Sequence, residues 1–368
     1  MTPRETLAAL RLARTEGIGP LTFRRLLERH GDAEAALEAL PAFSARRATP
    51  FQPPSPSAVW REMEAVAEMG GRFLFWGGED YPPLLALLDD APSALAVIGD
   101  PALLHARQVA VVGARNASSL GCRLAGELAE GLAREGIVVT SGLARGIDGA
   151  AHAGALRGGP TIAVIPGGLD RAYPPEHAEL QSAIAERGAV VAEAPLGTAP
   201  IARHFPRRNR IIAGLSLGVV VVEAAWRSGT LMTARLGLEA GREVFAVPGS
   251  PLDPRCAGSN DLIRQGAHLT ERVADVLEHL PEAPRFRPRE KAPSAAPSGP
   301  PPSGMAPPLP VDMAQILDLI GDSPVAVDEV MRRCHLSSAA VQAALLDLEL
   351  DGRIEALPGN RVVRNGSR

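Results

Sequence analysis

The chain has 368 residues, 46% of them hydrophobic, with 38 Lys and Arg against 42 Asp and Glu for a formal net charge of −4. That length allows two or three domains with a sizeable core, and the acidic balance means that any phosphate binding must come from a local basic cluster. Cys122, Cys256 and Cys334 are far apart and show no C-x-x-C spacing, which argues against a disulfide framework or structural zinc and fits a reduced cytoplasm.

The N-terminus is interrupted by charges, and no stretch approaches the ~18–20 apolar residues of a membrane span. A soluble, cytoplasmic protein is expected. Residues 1–70 read as one helical domain, because Leu7, Leu10, Leu12, Leu26, Leu27, Leu37 and Leu40 recur at near-helical spacing. Within it TEGIGPLTFRRLLERHG pairs two short helices across a turn from Gly17 to Pro20. Helix-hairpin-helix modules offer backbone N–H groups to DNA phosphates from such a turn. A plain, SAM-like helical packing domain is the reading preferred over that one, and both stay open. A Pro-rich break follows at 48–57.

Residues 71–280 change character. FLFW (73–76) and ALAVIG (94–99) are short apolar strands, followed by VAVVGA (109–114), IVVTSG (137–142), TIAVIPG (161–167), AVVAEA (189–194), GVVVVEA (218–224) and EVFAVPG (243–249). Helical segments such as 119–135, 148–157, 176–187 and 229–241 lie between most of them. Continuous apolar strands alternating with helices predict a Rossmann-like α/β fold with a doubly wound, mostly parallel sheet. Residues 281–310 hold 11 prolines and read as an extended linker. Residues 311–368 read as three helices and a two-stranded hairpin, a winged-helix module.

Ligands of open parallel sheets sit beyond the carboxyl ends of the strands. Those ends include Gly113-Ala114-Arg115 and Ser141-Gly142, and helices open at Gly146-Ile147-Asp148 and Ser228-Gly229-Thr230. Several helix N-termini along one edge suit a chain of phosphates at least as well as one cofactor. A dinucleotide cofactor is not expected. GARNASSLG lacks the second glycine of G-x-G-x-x-G, no acid closes IVVTSG, and no P-loop is present.

The sharpest feature is Arg203-His204-Phe205-Pro206-Arg207-Arg208-Asn209-Arg210: four arginines, a histidine and an aromatic in eight residues of a net acidic chain. Guanidinium forks bind phosphate oxygens, and a base stacked on an aromatic ring contributes ~1–3 kcal/mol in single-strand binders. The run precedes another strand near the ligand edge, so a nucleic-acid grip is preferred over a solvated basic helix start. Arg115 points to the same edge, although a fold-internal salt bridge is an equal reading for that residue alone. Asp148 and His152, four apart on one helix, and Glu193 and Glu223 at strand ends are candidates for acid–base work. The plainer reading makes Asp148 a helix cap and His152 a half-buried helix residue, so catalysis ranks below binding and no metal site is expected. In the C-terminal module the recognition-helix position, Ala339–Asp351, has no Lys or Arg and carries Asp347, Glu349 and Asp351. That helix repels phosphate and is expected to contact protein.

VVGAR (111–115), SGLARGID (141–148), GGLDRAYP (167–174), APLGTAP (194–200), FPRRNRIIAGLS (205–216), VVEAAWRSGTLMTARLGLEAGREVFAVPG (221–249) and GSNDLIRQGA (258–267) resemble, in order, the DNA-processing protein DprA (Smf) family. The resemblance implies a cytosolic homodimer that binds single-stranded DNA and loads the recombinase RecA onto it during natural transformation. It implies a DNA pocket that includes Arg115 and Phe205, and dimerisation near residues 240–270. Two positions depart from the family pattern. Ala202 stands where many relatives carry a lysine, with Arg203 beside it, and His177 stands where an Asn follows the YP motif.

The expected DNA-binding set is therefore Gly113, Arg115, Ser141, Gly142, Arg203, Phe205, Arg207, Arg208, Asn209, Arg210, Ser228, Gly229 and Thr230. The competing readings are a nucleotide-cleaving enzyme of the phosphoribohydrolase type, invited by Pro166-Gly167-Gly168, and a scaffold acting through the winged helix.

Overall fold

The computed structural model describes residues 1–44, 50–282, 311–321, 323–334, 336, 338–357 and 360–365; the expected linker at 281–310 lies almost wholly outside them. The chain divides into two compact units, residues 1–11 with 55–285 and residues 12–54 with 286–368. The segment 1–70 is thus shared between units: helix α1 (Pro3–Ala13) starts in the first, α2 (Pro20–His30) and α3 (Ala33–Ser44) belong to the second, and α4 (Pro56–Glu68) returns to the first. Ser55 caps α4 by accepting from the Ala58 N–H at 3.2 Å, with Pro56 at the first helical position.

The first unit is built on a nine-stranded sheet. In chain order its elements are β1 (Gly71–Phe75), α5 (Pro83–Ala86), β2 (Ala94–Gly99), β3 (Gln108–Gly113), α6 (Ser119–Arg134), β4 (Val138–Ser141), α7 (Ile147–Gly158), β5 (Thr161–Ile165), α8 (Ala178–Arg187) and β6 (Ala189–Ala192). Then come α9 (His204–Leu215), β7 (Gly218–Val222), α10 (Gly229–Glu239), β8 (Glu243–Ala246), α11 (Ala257–Arg264), β9 (His268–Leu269) and α12 (Val273–His279). The strand order is β1-β2-β6-β5-β4-β3-β7-β8-β9. From β6 to β9 every pairing is parallel, whereas β1 and β2 add an antiparallel edge. FLFW and ALAVIG thus belong to the same sheet as the later strands.

The central strands β3 to β7 are buried on both faces, and most of their residues are apolar. Val109 and Val111 of β3 turn to one face and pack with Leu128 and Leu132 of α6 and Ala151 and Ala155 of α7. Ala110 and Val112 turn to the other and meet Ile211, Ile212 and Leu215 of α9 and Ala234 of α10. This is the two-residue period of a strand read onto two helical layers. It also fixes where a ligand can enter. β3 feeds α6 on one face, and its neighbour β7 feeds α10 on the opposite face. The two loops part at this topological switch point and leave a crevice at the strand ends.

In the second unit α2 starts on Gly19 and Pro20, and Gly17, with a φ of +84°, lets the chain turn beneath the Phe51 ring. Phe23 and Leu26 of α2 and Ala36 and Leu40 of α3 are buried. The C-terminal helices are α13 (Val311–Leu319), α14 (Val327–Arg333) and α15 (Ser338–Leu350), followed by β11 (Ile354–Leu357) and β12 (Arg361–Arg364). A two-residue strand, β10 (Val325–Ala326), joins the expected hairpin and makes the sheet three-stranded, β10-β12-β11. The acids of the recognition-helix position have partners within this unit: Asp347 lies 3.4 Å from Arg25 and Asp351 lies 2.8 Å from Arg29 of α2. No helix among the described residues is long and apolar enough to cross a membrane.

Candidate nucleic-acid interface

The crevice at the switch point is a cavity of about 920 Å³. The β3 end supplies Val112 to Asn116, α9 supplies Phe205, Pro206, Arg208 and Asn209, and the start of α10 supplies Ser228, Gly229, Thr230, Met232 and Thr233. Ala144, Asp148, Tyr173, Pro200, Ala202, Ala225 and Arg255 complete the wall. Segments separated by more than a hundred residues meet here.

Helical phase decides which arginine enters. Phe205, Arg208 and Asn209 are spaced i, i+3, i+4 and share one face of α9, and these line the cavity. Arg208 is nearly enclosed, and its guanidinium lies 3.9 Å from the Asp148 carboxylate. Gly142 makes room for it, since a Cβ there would fall on the guanidinium. Burial lowers the Arg208 pKa to about 10, with Asp148 opposing that shift and Arg115 adding to it, so the group stays charged at neutral pH. Burial likewise raises the Asp148 carboxyl, against the pull of Arg208.

Phe205 is the hub of a cation–aromatic cluster. The exposed Arg115 guanidinium sits 4.4 Å from the ring centroid, Arg208 sits at 5.9 Å, and Tyr173 meets the ring edge-on at 5.7 Å. Arg115 is thus stacked on an aromatic ring, where a fold-internal salt bridge had been an equal expectation. At the α10 start Thr230 Oγ1 donates to the Gly113 carbonyl at 3.0 Å and ties the two loops together. The Ser228 hydroxyl and the Arg208 Nε are buried with no hydrogen-bond partner among the described residues. Buried donors without partners cost ~1–3 kcal/mol each; both residues line the cavity, and Ser228 is the N-cap of α10.

Three non-glycine residues with positive φ gather at these strand ends: Leu143 (55°), Glu223 (53°) and Arg227 (61°). Such conformations cost ~1–3 kcal/mol and collect at ligand clamps. Local contacts hold them. His177, at the position where the family pattern has Asn, donates from Nδ1 to the Leu143 carbonyl at 3.0 Å. Glu223 accepts from the Ser118 N–H at 2.9 Å and from the Ser118 hydroxyl.

Other expected residues lie elsewhere. Arg210 is buried on another face of α9, donating to Glu193 at 2.6 Å and to the Asp90 carbonyl, and it does not face the cavity. Ser141 is fully buried and donates to the Val111 carbonyl at 2.6 Å, so it has no surface to offer a strand. Gly142 acts from behind Arg208, and Arg203 and Arg207 are exposed outside the cavity wall, without an ion pair among the described residues. Gly113 is glycine because a Cβ would strike the Val222 carbonyl of the neighbouring strand. His152 is fully buried on Thr161, at 2.8 Å, with its pKa lowered by burial to about 3. Asp148 lies in the first turn of α7, whose N-cap is Gly146, and faces Arg208 as well as the Ala144 N–H at 3.4 Å. No group of three or more His, Cys, Asp or Glu among the described residues is placed to hold a metal ion.

A doubly wound sheet whose switch-point crevice is lined by three arginines and one aspartate, around an aromatic hub, defines a domain of Rossmann-like type with a basic crevice. The chain belongs to the DprA (Smf) family of DNA-processing proteins. The family described as DNA recombination-mediator protein A matches residues 72–281, flanked by a DprA-like N-terminal HHH domain at 3–65 and a DprA winged helix domain at 299–360. The chain is 46% identical over 286 residues to protein Smf of Escherichia coli (strain K12), covering 77% of this chain and 75% of that one. It is 42% identical over 224 residues to DNA processing protein DprA of Bacillus subtilis (strain 168), covering 60% and 75%. The X-ray structure of DprA from Streptococcus pneumoniae superposes with a TM-score of 0.66 at 34% identity, over 76% of this chain and 99% of that one. DNA processing protein A from Helicobacter pylori, whose structure is described as revealing a single-stranded DNA binding mode, superposes at 0.52 with 30% identity, over 56% and 94%.

Proposed function

We propose that this protein binds single-stranded DNA in the switch-point crevice of the 71–280 domain and loads RecA recombinase onto it, as a mediator of recombination in natural transformation. The carrying observation is the donor set of one cavity. A buried, charged Arg208, Arg115 stacked on Phe205, the unpartnered Ser228 hydroxyl and the α10 N-terminus all border the same space. A phosphodiester satisfies these donors at once. Family membership and the Helicobacter pylori relative's single-strand binding mode support the polymer over a free nucleotide. Binding requires no cofactor, metal or membrane. The protein acts as a cytoplasmic homodimer joined near residues 240–270, where β9 closes the sheet with Leu269 and Leu238 half-exposed beside it.

The nucleotide-cleaving alternative loses ground on two observations. Gly167 and Gly168 are packed against the Thr198 and Pro195 carbonyls and lie outside the cavity wall. The strand-end carboxylates Glu193 and Glu223 are engaged by Arg210 and Ser118. The test compares affinity for single- and double-stranded oligonucleotides and follows RecA assembly on single strands with and without the protein. Preference for the single strand and faster assembly are expected. Equal affinity for both forms, or release of base from nucleoside monophosphates, contradicts the proposal.

A further inference from the structure

We propose that Trp226, with Arg227, forms a second subsite that holds the nucleotide next to the one in the crevice: the indole stacks its base and the Arg227 guanidinium takes the connecting phosphate. This deepens the single-stranded DNA reading and rests on it. The aromatic inside the crevice, Phe205, already carries Arg115 on its ring and Tyr173 at its edge. A base stacking on the face that Arg115 covers has to displace it, whereas an exposed ring outside the crevice lets a base stack freely.

Trp226 is such a ring. It is 60% exposed in the loop between β7 and α10, and both Ala225 before it and Ser228 two residues after it line the cavity. Consecutive Cα atoms are 3.8 Å apart, so the Trp226 backbone is one residue from the cavity wall at Ala225 and two from it at Ser228. Met232, 45% exposed on the first turns of α10, is part of the same wall and extends the apolar rim.

The loop is tied at both ends by hydrogen bonds. Ser118 fixes Glu223, the Ser228 N–H bonds back to the Ala225 carbonyl at 3.1 Å, and Arg227 sits at a φ of +61°. A rigid, exposed aromatic loses little entropy on stacking. Arg227 is exposed and makes no hydrogen bond or ion pair among the described residues, so its charge is available to a phosphate.

The test uses the full-length protein and a fluorescent oligo-dT long enough to run past the crevice. Replacing Trp226 by Ala is expected to weaken binding about tenfold, the scale of one stacked base, with the salt dependence unchanged. W226F is expected to stay within about threefold of the parent. Replacing Arg227 by Ala is expected to make the slope of log affinity against log salt shallower by about 0.7, one phosphate contact on a single strand. Tryptophan emission, corrected with W226F for Trp60 and Trp76, is expected to fall on binding. Parental affinity of W226A and no quenching, while Arg115→Ala binds weakly, overturns this subsite and leaves the crevice reading intact. Parental affinity of both variants overturns the crevice reading as well. W226A that binds DNA normally but no longer stimulates RecA assembly places Trp226 on a protein-contacting surface and also overturns the subsite.

Discussion

Replacing Arg208 by Met removes the charge at the centre of the crevice while keeping an unbranched chain in its channel. The guanidinium lies 3.9 Å from the Asp148 carboxylate, with side-chain exposures of 6% and 7%. At an effective dielectric of about 20 that separation corresponds to roughly 4 kcal/mol of attraction, and breaking a buried pair from one side costs about 3–5 kcal/mol. The variant is therefore expected to lose about 4 kcal/mol of unfolding free energy at pH 7. The loss depends on pH. Burial already raises the Asp148 carboxyl against the pull of Arg208, and without Arg208 it rises further. A carboxyl raised on folding contributes stability that is fully present below its unfolded pKa of about 3.9 and is lost as pH rises through the folded value. The deficit of Arg208→Met is thus smallest near pH 4 and full above the folded pKa of Asp148. Urea unfolding of parent and variant across pH 4–8 measures it, and adding Asp148→Asn should recover most of the loss. A deficit independent of pH, and untouched by Asp148→Asn, refutes the coupling.

Ser228→Ala deletes a buried hydroxyl that has no partner, so thermal stability should hold while single-strand affinity drops about three- to tenfold; a lower melting temperature with unchanged affinity would contradict this. Arg207 and Arg210 should part company. Arg207→Ala should leave stability within ~0.5 kcal/mol and flatten the salt dependence of binding, whereas Arg210→Ala, which removes a buried guanidinium that bonds Glu193 at 2.6 Å and the Asp90 carbonyl, should cost about 2–4 kcal/mol in urea unfolding and leave the salt slope alone. Gly142→Ala forces a Cβ onto the Arg208 guanidinium. It is expected to destabilise by more than about 2 kcal/mol and weaken DNA binding together, which paired unfolding and binding titrations check.

Much of this architecture is readable in the residues. Continuous apolar runs such as GVVVV declare a sheet covered on both faces, and the glycine- and serine-rich strand ends mark the ligand edge. What is not readable falls into two kinds. Two-residue strands carry no periodic signal, so β9 (His268–Leu269) and β10 (Val325–Ala326) emerge only from their pairing with neighbours. The basic run 203–210 reads as one patch, but the helix distributes it: Arg208 turns into the crevice, Arg210 to Glu193, and Arg203 and Arg207 to solvent. The 100° rotation per residue of an α-helix, anchored on Phe205, would have sorted these arginines in advance. Tyr173 and Arg255 reach the site from distant segments, and no local pattern around them signals it. The acids of α15, read as a bar to phosphate, are also the partners of Arg25 and Arg29 within the second unit.

Arg115 is exposed just past the end of β3 and stacked 4.4 Å from the Phe205 centroid. A salt titration of single-stranded oligonucleotide binding, parent against Arg115→Ala, tests its role in binding most directly. The crevice account predicts weaker binding by the variant and a slope of log affinity against log salt that is shallower by about 0.7, one phosphate contact on a single strand. Tight binding by both proteins, with the same slope, would contradict it.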